Sequence, residues 1–137
     1  MKPIRLELRE FGPYKHEVIQ WNEIINEPMF LITGKTGSGK STLFDAFVYA
    51  LYNKTTSGKD IASLRTKTAD DKDRTIVIFD FELQGKHYRI ERTLAYLKTG
   101  NKNILSFNIF YLVEPNKSVN THTHTHSNNG LSLCTKA

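Results

Sequence analysis

Gly34-Lys35-Thr36-Gly37-Ser38-Gly39-Lys40-Ser41 fits the pattern G-x-x-x-x-G-K-[ST] in full. The chemistry of a phosphate loop requires these residue types. Glycines let the backbone take dihedrals closed to other residues, so successive N–H groups point into one concavity that cradles phosphate oxygens. A helix starting near Lys40 adds the positive end of its dipole. Lys40 is then placed to reach the β- and γ-phosphates, Ser41 to ligate Mg²⁺, and Thr42 to meet the α-phosphate side. Gly34, Lys35, Thr36, Gly37, Ser38 and Gly39 form the cradle. The implied ligands are a nucleoside triphosphate and Mg²⁺.

The flanking residues supply the strand and helix that such a loop needs. Met29-Phe30-Leu31-Ile32 is continuously apolar, as a fully buried strand would be, and ends at Thr33-Gly34. Leu43 to Tyr52 reads as a helix, and Leu43, Phe44, Phe47, Val48 and Leu51 predict burial on several sides. Earlier in the chain, Ile4, Leu6 and Leu8 alternate with Arg5, Glu7 and Arg9, which predicts a half-buried strand over 3–9. Phe11-Gly12-Pro13-Tyr14 is turn chemistry, and Val18 to Trp21 a short returning strand. Residues 53–74 are polar and read as a long surface loop. Thr75–Leu83 and His87–Leu94, joined at Gln84-Gly85-Lys86, predict an antiparallel hairpin, and Ile104–Val113 reads as a further strand, with a helix as the alternative.

Composition bounds the rest. The 137 residues suit a single domain. One cysteine, Cys134, forms no internal disulfide, which excludes a stapled mini-protein. The longest apolar run, Ile104 to Val113, is too short for a membrane-spanning helix, and the charged start leads to no signal-type apolar region. A soluble cytoplasmic protein with no membrane partner is expected. The net charge of +5 is local: Lys86, Arg89, Arg92, Lys98 and Lys102 face only Glu91 within residues 84–113. Residues 114–137 hold few apolar side chains and are expected to form a disordered low-complexity tail, leaving 1–113 as the folded domain.

Phosphate loops serve several chemistries. Ile76-Val77-Ile78-Phe79-Asp80 matches the apolar-run-plus-Asp pattern of a Walker B strand, in which Asp80 would hold Mg²⁺ through water. The segment continues into a hairpin, however, and a Walker B strand is parallel, so a structural strand is the better reading. Asn53-Lys54-Thr55-Thr56 lacks the Asp that guanine recognition needs. A small P-loop kinase using Asp80 stays open, as does a non-catalytic remnant.

Met1 to Leu6, Phe11-Gly12-Pro13-Tyr14, Phe30 to Gly34 and the phosphate loop together resemble the amino terminus of the SbcC family, SMC-like ATPase subunits of bacterial SbcCD nucleases. Ser41 to Ala46 with Ala50-Leu51-Tyr52 looks like that family's first helix. Ser63-Leu64-Arg65 resembles its Leu-Arg loop, and Phe79 to Arg92 its hairpin. The likeness covers about residues 1–96 and implies an α/β fold: the amino-terminal lobe of an ABC/SMC-type P-loop ATPase head, with a mixed sheet and antiparallel hairpins. It also implies ATP and Mg²⁺, an SbcD-like nuclease partner, double-stranded DNA, and a second head sandwiching two ATP molecules. Carried over by position, Gly34 to Thr42 bind triphosphate and Mg²⁺, the Phe11–Tyr14 turn lies near the nucleotide, and the Arg65 region approaches it. The wider function is double-strand-break repair and hairpin processing.

The family's Gln loop, heptads, Cys-x-x-Cys hook, signature motif and Walker B Asp-Glu are not found in this sequence. No residue therefore takes a catalytic role, and the chain is expected to bind nucleotide weakly or not at all alone and to hydrolyse it negligibly. Arg89 and Arg92 point to opposite faces of one strand, so a solvated hairpin is favoured over a DNA-binding stripe. His122, His124 and His126 alternate with Thr and could meet Ni²⁺ or Zn²⁺, but no carboxylate or Cys lies near to complete a site. Thr-His-Thr-His-Thr-His is what a repeated CA dinucleotide gives when read as ACA-CAC, and a frame slip, a readthrough or a mispredicted gene end is the expected origin of the tail.

Overall fold

A computed structural model describes residues 1–21, 31–96 and 104–113. Five strands form one sheet: β1 (Lys2–Phe11), β2 (Tyr14–Gln20), β3 (Thr75–Leu83), β4 (Lys86–Tyr96) and β5 (Ile104–Val113). Their order is β2-β1-β3-β4-β5, and every neighbouring pair is antiparallel. The helix α1 (Lys40–Tyr52) crosses one face, and a short 3₁₀ turn spans Ile61–Leu64.

Period-two alternation decides which face α1 covers. Leu6 and Leu8 of β1, Val77, Phe79 and Phe81 of β3, and Ile90 and Leu94 of β4 are buried with Ala46, Tyr49 and Ala50 of α1. Ring contacts tie the layers together, with Phe47 edge-on to Phe79 at 5.0 Å between centroids and Phe11 against Tyr49 at 6.0 Å. Arg92 reaches from β4 to the last turn of α1, where its Nη2 donates to the Leu51 carbonyl at 3.4 Å. A cation at a helix C-terminus meets the negative end of the dipole.

The hairpins follow their turn residues. Gln84 and Gly85 both have positive φ, at 52° and 73°, and Leu83 pairs with Lys86 across them. This two-residue turn with left-handed dihedrals suits the strand twist. Phe11 likewise pairs with Tyr14 across Gly12-Pro13.

Four expectations are corrected. Leu31 and Ile32 lie in no strand, and Leu31 is 85% exposed. A buried parallel strand needs neighbours on both edges and cover on both faces, and the described residues supply none there; Met29 and Phe30 lie outside them. Secondly, α1 is buried on one side only, with Phe44 and Tyr52 exposed, because the sheet is the one layer packed on it among the described residues. Thirdly, residues 53–74 are more than surface loop. Leu64 and Thr66 are buried, and the backbone at Arg65 bridges to Phe11. Fourthly, Glu7 lies on the polar face yet is buried, because Arg5, Arg9 and His16 close over it. Residues 114–137, with His122, His124 and His126, lie outside the described residues, as do Lys98 and Lys102.

Candidate nucleotide-binding site

The phosphate loop fills the gap between residue 35 and the start of α1. Gly37 and Gly39 take φ of 83° and 91°, in the left-handed region that glycine enters without strain. Gly39 is the N-cap of α1, and its carbonyl accepts from the Leu43 N–H at 2.9 Å, the first bond of the helical ladder. The N–H groups of Lys40, Ser41 and Thr42 precede that ladder and so are left over for other partners. These three residues, with Thr36, Gly37 and Gly39, line a cleft of about 440 Å³ in front of the helix.

Lys40 organises the loop from inside. Its Nζ donates to the Gly34 carbonyl at 2.6 Å and the Lys35 carbonyl at 2.8 Å, and lies 3.5 Å from Ser38 Oγ. The three predicted residues that do not line the cleft, Gly34, Lys35 and Ser38, are thus the ones that hold the lysine. All nine predicted positions from Gly34 to Thr42 therefore converge on one cavity or on its lysine. The ammonium is bound to neutral carbonyls, and an anionic oxygen entering the cleft would compete with them by adding a full opposite charge.

Pro13 is the seventh wall of the cleft, from the β1–β2 turn. That turn presses closely on the loop. A Cβ on Gly12 would lie 2.4 Å from Thr42 Cγ2, and one on Gly39 would lie 2.8 Å from Pro13 Cγ. Tyr14 Oη donates to the Gly39 carbonyl at 3.1 Å. Burial, with the nearby Glu17 charge, raises the Tyr14 phenol above its usual value, so it stays a donor at neutral pH. The turn chemistry of Phe11–Tyr14 is legible in sequence; its contact with Gly39 and Thr42 is not, since nothing local links positions so far apart.

Ser41 is exposed at the cleft rim, as a metal-ligating hydroxyl would need to be. Among the described residues no cluster of three or more His, Cys, Asp or Glu could hold a metal.

Two other candidates lie elsewhere. Asp80 projects from the face of β3 opposite Phe79 and Phe81, away from α1 and the loop. There both its oxygens accept from Arg89, with Arg5 Nη1 3.8 Å away. The Walker B match is structural, and the kinase alternative loses its metal anchor. Arg65 ties down the 70–73 loop, with Nη1 donating to the Asp73 carbonyl at 2.6 Å, and is not part of the cleft wall. Arg89 and Arg92 do face opposite sides of β4, one engaged with Asp80 and the other with α1.

The family model described as AAA domain matches residues 5–132. The chain belongs to the AAA domain family. Named relatives narrow the neighbourhood of this AAA domain. It is 43% identical over 104 residues to the C subunit of nuclease SbcCD from Staphylococcus saprophyticus subsp. saprophyticus, an overlap of 75% of this chain and 10% of that protein. The same-named protein of Staphylococcus haemolyticus is 44% identical over 105 residues, 76% of this chain and 10% of its own length. That of Staphylococcus aureus strain MRSA252 is 42% identical over 117 residues, 83% and 12% respectively. The chain thus spans about a tenth of the length of the curated relatives it matches. Among the described residues, no helix is long and apolar enough to cross a membrane.

Proposed function

We propose that this AAA domain is the ATP-binding amino-terminal segment of an SbcC-like ATPase that acts with an SbcD-like nuclease on double-stranded DNA, in double-strand-break repair and hairpin processing. The observation that carries the reading is Lys40, held over the Gly34 and Lys35 carbonyls at the mouth of a cleft formed by the N-terminus of α1. In this reading Gly34 to Thr42 cradle the triphosphate of ATP and Ser41 supplies one ligand to Mg²⁺, which neutralises phosphate charge when bound. The similarity to relatives named as the C component of nuclease SbcCD supports the choice of substrate and partner.

Hydrolysis by the chain alone is negligible in this proposal. Asp80 is committed to Arg89, and no carboxylate lines the cleft among the described residues. Leu31, Phe44 and Tyr52 are exposed apolar side chains, which the remainder of an ATPase head would bury. A second head paired through the nucleotide belongs to the same proposal.

Titration of a fluorescent ATP analogue with Mg²⁺ tests the reading. Weak binding that falls at least tenfold in Lys40→Ala, about the size of one charge-assisted contact, is the expected result. Equal affinity in both proteins would overturn the phosphate-loop assignment.

A further inference from the structure

The β1–β2 turn is fixed to the body of the protein independently of the phosphate loop. The Gly12 N–H donates to the Leu64 carbonyl at 2.6 Å, and Thr66 Oγ1 donates to the Gly12 carbonyl at 2.9 Å. Thr66 N–H reaches the Glu10 carbonyl at 3.0 Å, on the other side of the turn. Tyr14 therefore projects from a held frame onto the loop, where its hydroxyl donates to the Gly39 carbonyl.

That carbonyl has two donors, Tyr14 Oη at 3.1 Å and Leu43 N–H at 2.9 Å, which occupy both its lone pairs. In a trans peptide the C=O and the following N–H point in opposite directions. A Gly39 carbonyl held toward α1 and Tyr14 turns the Lys40 N–H the other way, toward the cleft that Gly39 and Lys40 line. The peptide has reason to need holding. Gly39 is at φ 91° with no Cβ, and glycine crosses between left- and right-handed regions freely.

We infer that Tyr14 is a positioning residue of the phosphate loop: its hydroxyl fixes the Gly39–Lys40 peptide plane so that the Lys40 N–H faces bound phosphate. The inference rests on the nucleotide reading above and assigns Tyr14 to the triphosphate rather than to the base.

The test uses the full chain, ¹⁵N-labelled, as wild type, Tyr14→Phe and Lys40→Ala, each titrated with Mg-ATP into the millimolar range. Tyr14→Phe keeps the ring and removes only the donor. In the ligand-free Tyr14→Phe protein the Lys40 amide resonance is expected to shift or broaden while amides of β3 and β4 stay in place. Mg-ATP is expected to bind about fivefold more weakly, the size of one neutral hydrogen bond. An unchanged Lys40 amide, or affinity within about twofold of wild type, overturns the inference. So does a melting temperature lowered by more than about 5 °C, which marks a general structural role. The nucleotide reading fails separately, through a wild type that binds no Mg-ATP or a Lys40→Ala protein that binds it equally well. In either case the ligand-free Lys40 amide still decides whether Tyr14 holds the peptide.

Discussion

Arg89 Nη2 lies 2.7 Å from Asp80 Oδ2, directly across the β3–β4 ladder, while Arg89 Nε donates to the other carboxylate oxygen. A bidentate guanidinium leaves this carboxylate little capacity for a metal. Asp80→Asn is therefore expected to cost about 1–3 kcal/mol of stability, as loss of charged hydrogen bonds at a buried carboxylate does. Urea denaturation reads that loss, and Mg-ATP titration should show no change in affinity. A folded variant that had lost nucleotide binding would place Asp80 in the site after all.

Glu7 makes the fold sensitive to acid. Burial alone would raise its carboxyl, but hydrogen bonds from Arg5, Arg9 and His16 outweigh burial and hold it down at about 2, against 4.5 for the free group. A depressed folded value means the unfolded chain takes up the proton first. The stabilisation is thus fully present above about 4.5 and is lost as the pH falls toward about 2. Glu7→Gln should flatten the part of the stability–pH curve between those values, measured by thermal melts in a pH series. An unchanged acid limb would show that the cluster contributes nothing.

Gly37 and Gly39 look alike in the motif and differ in the structure. Both have left-handed dihedrals, so alanine at either costs about 1 kcal/mol or more of backbone strain. A Cβ on Gly37 meets nothing within 4 Å, whereas one on Gly39 would lie 2.7 Å from Tyr14 Oη. Gly39→Ala should lower the melting temperature clearly more than Gly37→Ala does. Equal losses would mean that the β1–β2 turn yields freely.

Phe44 and Phe79 are apolar rings with opposite fates. Phe79 is fully buried between α1 and the sheet, and Phe79→Ala should cost about 3–5 kcal/mol. Phe44 is 52% exposed, so Phe44→Ser should change stability by no more than about 0.5 kcal/mol. Chemical denaturation of both variants checks the contrast. A large loss at Phe44 would reveal a partner layer on that side of α1.

The alternation at Leu6 and Leu8, the Gln84-Gly85 turn and the loop glycines Gly37 and Gly39 carry local rules that the structure follows, whereas Ile4, at a register shift of β1 against β3, is only partly buried. Leu31 and Phe44 escape such rules, because apolarity states a need for burial without saying whether this chain provides the cover. Glu7 departs in the other direction. Three flanking side chains hide a carboxylate that a period-two pattern assigns to solvent. Tyr14 is legible only as turn chemistry, since its role arises from a contact between distant segments.

The strand order has a consequence in time. β3, β4 and β5 form a meander of short closures, whereas β1 joins β3 by pairs such as Leu8 with Val77, across the whole stretch that holds the phosphate loop. Closing long segments is the slow part of assembling a sheet. A nascent chain can thus display the complete loop motif well before it owns a cleft. Any ligand that requires the cleft reports on the folded arrangement rather than on the presence of the motif.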